Sequence, residues 1–459
     1  MKASDMSVKT YPFDVRHKDV WYIALPTAFA FVTEPLLGIA DTTIVGRLGE
    51  VDLLGGLLLG GLVFDFMFAF FYFLRMSVTG LTAQAFGARD EAKQTAQLAR
   101  GLVIGLGAGL LILLLGGPIA QFAKVVYGAS DAVNAAFEQY FFIRLFAAPF
   151  ALMNFVLAGW FLGRGQSLTA LALQAGLNLT NIILSYVLVF QFDLGIAGVA
   201  WGTVIATLIF MVIGVFVAIH TLGGFSQLAR RLHEANLLDR AEIKKLLSLS
   251  SNILLRSVTI NAVFSFFARE GAQAGDLYLA TNGILLHFLM IASFFLDGLA
   301  AASEQLCGKA VGARWRPAFF SAIKLSSLSG FVLSGCLSVI FILYGPLLID
   351  FMTTSDVVRQ TARDFLWLAA LAPVFGVLAF VLDGVFAGAA MGTDMRNGMF
   401  LSALAFLAIW AVAVPLFGIY GLWLALHGFF IARSVIFLWL LMRRVPSLFS
   451  EQPPEREAA

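Results

Sequence analysis

Residues 21–46 read WYIALPTAFAFVTEPLLGIADTTIVG, and the rest of the chain is best read outward from them. The stretch is long enough to cross a bilayer as a helix, for which about 20 apolar residues suffice. Yet it carries Pro26, Glu34, Pro35 and Asp41. A carboxylate at the centre of such a span costs about 2.5–3.5 kcal/mol on insertion scales. Apolar packing alone gives no reason to accept that cost, so an intramembrane acid reads first as functional. Glu34 and Asp41 lie two helical turns apart, nearly on one face of a straight helix and about 10 Å from each other. Pro26 and Pro35 each remove an intrahelical hydrogen bond and invite a kink. A bendable helix with a buried acid suits a transporter gated by a proton. The competing reading is that both acids are neutral or paired and merely fix helix packing.

The surrounding composition puts that helix in a membrane. Of 459 residues, 60% are hydrophobic and 13% charged, against about 25% charged in soluble domains. Forty-five Phe and a mean hydropathy of +0.89 fit a lipid-facing surface. The formal net charge of +2 is uninformative, because the charges are unevenly distributed. Cys307 and Cys336 show no metal or redox spacing. Residues 1–19, MKASDMSVKTYPFDVRHKD, are polar and lack the apolar core and cleavage site of a signal peptide. The stretch from Trp21 is therefore expected to stay as the first span.

About twelve spans can be read, near 20–45, 53–80, 96–121, 138–163, 167–190, 194–220, 246–268, 278–303, 319–345, 362–388, 393–416 and 418–442. Very short links join spans 4–5, 5–6, 10–11 and 11–12, so each pair is expected to form an antiparallel hairpin. Loop charge fixes the orientation. About 21 Lys and Arg fall on one side, among them Lys2, Lys9, Arg89, Lys93, Lys244 and Arg456, against about five on the other: Arg47, Lys124, Arg269, Arg359 and Arg363. Both termini are expected to be cytoplasmic. Residues 222–247, LGGFSQLARRLHEANLLDRAEIKKLL, form the longest internal polar segment. Their Leu/Ile spacing allows an amphipathic helix on the membrane surface. The expected division is 1–221 as an N-terminal six-helix bundle, 222–247 as a cytoplasmic linker, 248–445 as a C-terminal six-helix bundle and 446–459 as a disordered cytoplasmic tail.

The two halves resemble each other. APFALMNFVLAGWFLG at 148–163 matches APVFGVLAFVLDGVFAG at 372–388, and LGIAGVAW at 194–201 matches FGIYGLW at 417–423. Gly87-Ala88-Arg89 matches Gly312-Ala313-Arg314, and Ser130-Asp131-Ala132-Val133 matches Ser355-Asp356-Val357-Val358. Six spans per half is even, so both halves enter the membrane from the same side. The expected fold is an all-α polytopic membrane protein of two six-helix bundles related by a pseudo-two-fold along the membrane normal. The halves differ in one respect: aligning Arg47 with Arg269 places Val263 opposite Asp41. Only the N-terminal half carries the first-helix acid.

The fifth span, QAGLNLTNIILSYVLVF, puts Asn178, Asn181 and Ser185 on one helix face. The sixth offers Thr203, and the fourth offers Tyr140 and Asn154. Amides and hydroxyls can hydrogen-bond either protonation state of an acid, whereas a nearby cation holds it ionised. The alternative role for these polar groups is interhelical hydrogen bonding alone. Arg75, Arg144, Arg256 and Arg433 fall inside or near the ends of spans. Arg144 and Arg433 are close enough to span ends to snorkel; acids such as Asp65 or Asp297 are available to pair with Arg75 and Arg256, but the sequence does not identify their partners. In the second half Asp383 is the most interior acid, beside Gly384 and Gly388. His287 and His427 read as packed histidines. No phosphate loop, nucleophile constellation or metal cluster is present in the sequence, so an enzyme is disfavoured.

The segments LPTAFAFVTEPLLGIADTTIVGRLG, GLTAQAFGARD, LNLTNIILSYVLVF, LGIAGVAWGT and LDGVFAGAAMGTDMRN resemble the multidrug and toxic compound extrusion (MATE) family, nearest its DinF-like branch. The resemblance covers about residues 15–445. It implies a proton-coupling aspartate at Asp41, a first-helix hinge at Pro26, a fifth-helix asparagine at Asn181 and a sixth-helix threonine at Thr203. The sequence departs from the fifth-helix pattern Asn-x-x-x-Asp, because Ser185 occupies the acidic position. That departure weakens a sodium site, which favours several oxygen ligands and more negative charge.

The expected function is proton-coupled export of small amphipathic organic compounds. Asp41, Asn181, Thr203, Asn178 and Tyr140 are the candidates for the coupling site. Glu34, Asn154 and Asp383 are candidates for a substrate or second-lobe site. The expected coupling ion is the proton, with no cofactor or metal. The expected partners are the transported compounds and membrane lipids, not nucleic acid, and the expected state is a monomer in the bacterial inner membrane. The competing functions are sodium-coupled export and a lipid-linked precursor flippase of the same superfamily.

Overall fold

In a computed structural model, residues 10–450 are described apart from 235, 236 and 238. Lys2, Lys9, Arg456 and most of the tail expected to be disordered lie outside the described residues. The described chain forms sixteen helices: α1 (His17–Gly46), α2 (Val51–Phe71), α3 (Phe73–Gly87), α4 (Glu91–Leu114), α5 (Gly116–Tyr127), α6 (Asp131–Leu145), α7 (Ala148–Gly163), α8 (Ser167–Phe190), α9 (Gly195–Thr221), α10 (Phe225–Glu234), α11 (Arg240–Gln273), α12 (Asp276–Gly312), α13 (Arg316–Met352), α14 (Asp356–Gly388), α15 (Gly392–Phe417) and α16 (Ile419–Leu448).

Eleven of these, counting α2 and α3 as one, are long and apolar enough to span a membrane, and the bent pair α6–α7 makes up to twelve. Helices dominate because a bilayer interior offers no water to the backbone, so each segment must satisfy its own N–H and C=O groups. Large apolar side chains face outward, Phe351 at 90% exposure and Val125 at 82%. Such a surface fits hydrocarbon, and the protein is a polytopic membrane protein.

Local chemistry sets the helix ends. Asp90 caps α4 by accepting from the Lys93 N–H at 2.8 Å, and Ser130 caps α6 by accepting from Val133 at 3.3 Å. Gly128 ends α5 in the left-handed region at φ 58°. In the polar segment expected to tether the halves, α10 docks through Arg231. That side chain donates to the Leu222 carbonyl at 2.7 Å and pairs with Glu91. α16 continues through Pro446 to Leu448, so this part of the tail is helical.

The repeat read from the sequence is visible in backbone detail. Arg89 and Arg314 both take left-handed conformations, at φ 55° and 52°. Ala88 and Ala313 each donate to the carbonyl four residues back, that of Gln84 and that of Lys309. The link from α7 to α8 closes with Gln166 N–H on the Phe161 carbonyl, and that from α14 to α15 with Met391 N–H on Phe386. The repeats differ at their prolines: α6 and α7 break with a 52° bend just before Pro149, whereas α14 runs unbroken through Pro373.

Internal packing divides the chain into two units. One comprises residues up to Ala28, Ala83–Arg89 and residues from Ser248 onward; the other comprises Phe29–Thr82 and Asp90–Leu247. In the first, α12 packs against α13 and α14, and α15 against α16, around Phe267, Phe288, Trp423 and Phe429. There Gly312 lies against the backbone of Gln84 and Gly87 against that of Lys309, where any Cβ would collide. In the second unit α8 pairs with α9, α4 with α7 and α2 with α6. The α1 helix is continuous, yet it changes unit between Ala28 and Phe29, two residues after Pro26.

Candidate functional site

The second half of α1 carries Asp41 into the second unit, where the side chain is only 8% exposed. Beside it stands Ser185 of α8, and Asn178 and Asn181 on the same helix and Thr203 and Thr207 on α9 are buried as well. The spacing of three and four residues along α8 brings these groups into line, as the sequence pattern predicts.

The hydrogen bonds run in one direction. Ser185 Oγ donates to Asn181 Oδ1 at 3.1 Å, and Asn181 Nδ2 donates to Thr203 Oγ1 at 3.2 Å. Thr203 Oγ1 donates to the Val199 carbonyl at 3.1 Å. The Ser185 hydroxyl also lies within hydrogen-bonding reach of the Asp41 carboxyl. Asp41 Oδ1 is buried and has no hydrogen-bond partner among the described residues.

A hydroxyl carries one proton, and an ionised carboxylate only accepts. Beside ionised Asp41, Ser185 can donate to the carboxylate or to Asn181, not to both. Beside protonated Asp41, it accepts from the acid and still donates to Asn181. The chain from Asp41 through Ser185, Asn181 and Thr203 to the Val199 carbonyl then has one donor for each acceptor. Such chains polarise one another and gain from being complete.

Arg144 does not lie where the sequence pattern puts it. Rather than snorkelling, it packs over the Phe64 ring at 4.5 Å and donates to Tyr140 Oη at 2.6 Å. Its charge acts on both Asp41 and Asp65. The usable signal was Tyr140 one turn before Arg144 on α6, a spacing that stacks the two side chains. A cation therefore stands within electrostatic reach of the acid, where only amides and hydroxyls were expected.

The other candidates separate. Asn178 Nδ2 donates to Thr33 Oγ1 at 2.7 Å, tying α8 to α1 one side of the Asp41 contact. Asn154 donates to the Thr207 carbonyl at 3.0 Å, so it supports α9 from behind. Glu34 is exposed, and the charges acting on it are Asp65 and Arg75. Asp383 belongs to the other unit, held by Arg256 and Arg433. That pairing corrects one expectation. Arg433 is fully buried near the middle of α16 instead of snorkelling, and the ion-pair partner of Arg256, which the sequence leaves open, is Asp383.

Close approach of α8 and α9 depends on Gly202. A Cβ there would sit 2.8 Å from Ser185 Oγ and 2.9 Å from its backbone nitrogen. Gly202→Ala is expected to push the helices apart and break the Asn181–Thr203 bond, at about 1–3 kcal/mol as for other overpacked sites. Thermal unfolding in detergent checks this, with a clearly lowered midpoint for Gly202→Ala. Gly61→Ala, at a position with open space around it, should leave the midpoint unchanged.

The sequence has relatives of known type. The MatE family profile matches residues 26–187 and 248–414. The DNA damage-inducible protein F of Escherichia coli (strain K12) is 35% identical over 420 residues, 91% of this chain and 90% of that protein. The multidrug export protein MepA of Staphylococcus aureus (strain NCTC 8325 / PS 47) is 20% identical over 88% of each chain. Among solved structures, a MATE transporter in the bent conformation superposes with a TM-score of 0.81. It is 19% identical and the match covers 94% of this chain and 96% of that one, a likeness of fold. The match of the family profile to most of the chain and the 35% identity over nearly its full length agree with the helical repeat, and the chain belongs to the MATE family of membrane transporters.

Proposed function

We propose that the chain is a proton-coupled antiporter exporting amphipathic organic compounds by alternating access across the bacterial inner membrane, with both termini in the cytoplasm. The observation that carries this reading is the buried Asp41 beside Ser185, where a one-way hydrogen-bond chain through Asn181 and Thr203 begins. Protonation completes that chain and ties α1 to α8 and α9. Loss of the proton frees the Ser185 hydroxyl to turn toward the carboxylate and leaves Asn181 short of a donor. Each state favours a different seating of α1, and a ligand that binds one seating better shifts the balance. Pro26, just before α1 changes unit, is the hinge in this scheme. A chain with 45 Phe suits loosely specified apolar ligands. MepA is a multidrug export protein, consistent with that substrate class.

Proton coupling is favoured over sodium because the polar groups facing Asp41 on α8 are neutral. A sodium site would draw on several oxygens and added negative charge, and Ser185 stands where the second acid would be. Inverted vesicles with each gradient imposed separately test this. Dye uptake driven by a pH gradient without sodium is expected. Uptake driven by sodium alone at constant pH would overturn the proton assignment.

A further inference from the structure

In the unit that continues from Ser248, α11, α14 and α16 bring Arg256, Asp383 and Arg433 together. Both guanidinium groups converge on one oxygen of Asp383, Oδ2. Much hydrogen-bonding capacity is left over. Asp383 Oδ1, Arg256 Nε, and Nε and Nη1 of Arg433 are buried without a partner among the described residues. Arg433 is 0% exposed, and an arginine cannot discharge by losing its proton. Asp297 on α12 acts on Arg433 through its charge, but those N–H groups stay unbonded.

Two guanidinium groups carry ten N–H donors, more than the one carboxylate between them can accept. Buried polar groups in folded proteins are otherwise paired, and a cluster of exceptions calls for a cause. Guanidinium forks match the oxygens of carboxylate, sulfonate and phosphate. The rings of Phe380 and Phe437 lie 5.9 and 5.7 Å from the Arg433 guanidinium and give the cluster an apolar wall. Arg256 keeps 14% side-chain exposure, so it is the arm that an arriving group meets first.

We infer that Arg256 and Arg433 form a binding site for the oxyanion of an amphipathic organic molecule, with the Asp383 carboxylate as its internal competitor. The inference rests on the transporter reading above and extends its substrates to compounds bearing a negative group. The arriving oxyanion takes the N–H groups that Asp383 leaves unused and displaces Asp383 from Arg256. The same chemistry can arrive on a transported compound or on an anionic lipid headgroup.

The test uses the purified full-length protein in phosphatidylcholine nanodiscs, titrated by fluorescence anisotropy with anionic sulforhodamine and, separately, cationic ethidium. Arg256→Gln is expected to weaken sulforhodamine binding by about tenfold or more, as for loss of a buried charge partner. Asp383→Asn should tighten it about threefold by removing the competitor. Ethidium binding should change by less than about twofold in either variant, as for independent sites. Opposite shifts cannot come from misfolding, which weakens both dyes in both variants. Wild-type protein that fails to bind sulforhodamine, or two variants that shift it in the same direction, overturns the proposal. Adding phosphatidylglycerol separates the sources. Sulforhodamine binding lost in its presence assigns the site to a lipid headgroup, and binding that persists assigns it to a transported compound. Binding is read at equilibrium with no gradient, so this result and the fate of coupled export are independent.

Discussion

Asp41→Asn is expected to abolish export driven by a pH gradient and to leave expression, fold and thermal midpoint close to wild type. The substitution keeps the shape of the side chain and most of its hydrogen bonding. The amide can donate toward Ser185 as a protonated acid would, so the chain through Asn181 and Thr203 stays complete. What is lost is the alternative state, because an amide cannot ionise. With one seating of α1 favoured at every pH, the proton gradient has nothing to act on. Proteoliposomes loaded with dye and given an imposed pH gradient check this. The rate should fall to the level of empty liposomes, about a hundredfold or more, as expected when a transition loses its differential term. A well-expressed Asp41→Asn protein that exports at the wild-type rate contradicts the assignment.

The second large effect is expected at Pro26. The residue has no N–H to give to the carbonyl four residues back, which lowers the cost of bending α1 there. It also sits two residues before the helix changes unit. Pro26→Ala restores a hydrogen bond and favours the straighter helix. A shift of about 1.4 kcal/mol in a two-state equilibrium changes the population ratio tenfold. Turnover is therefore expected to fall about tenfold, while equilibrium dye binding survives, since the proline contacts no proposed ligand. Binding and transport measured on one purified variant decide the matter. Loss of both together would assign Pro26 a packing role, and wild-type transport would remove the hinge.

Much of this was legible in the sequence, and the reasons are physical. Hydropathy marks the spans because lipid admits only apolar surface, and the repeat shows wherever turn geometry is exacting. Arg89 and Arg314 are examples, both left-handed in matching tripeptides. Asn181 and Ser185 could be read as neighbours because a helix puts residues four apart on one face. Thr203 needed only the short link from α8 to α9, which forces an antiparallel pair.

Arg144 and the Asp383 cluster were not legible, for a different reason. Arg144 packs over the Phe64 ring of α2, a contact set by tertiary packing and not by the Tyr140 spacing on its own helix. Arg256, Asp383 and Arg433 lie on three helices far apart in sequence, so their meeting is decided by tertiary packing. Glu34 shows the converse limit. It shares a helix face with Asp41 on paper, yet the charges acting on it are those of Asp65 and Arg75. Helix periodicity places a side chain on a face, whereas the neighbouring helices decide what that face meets.

The central claim is that Asp41 carries a proton which substrate binding releases. It is tested most directly by adding ethidium to the purified protein in weakly buffered solution, with a pH-indicator dye reporting free protons. The wild-type protein should release close to one proton per ethidium bound, and Asp41→Asn should bind ethidium and release none. Equal proton release by the two proteins would place the coupling proton elsewhere and contradict the assignment.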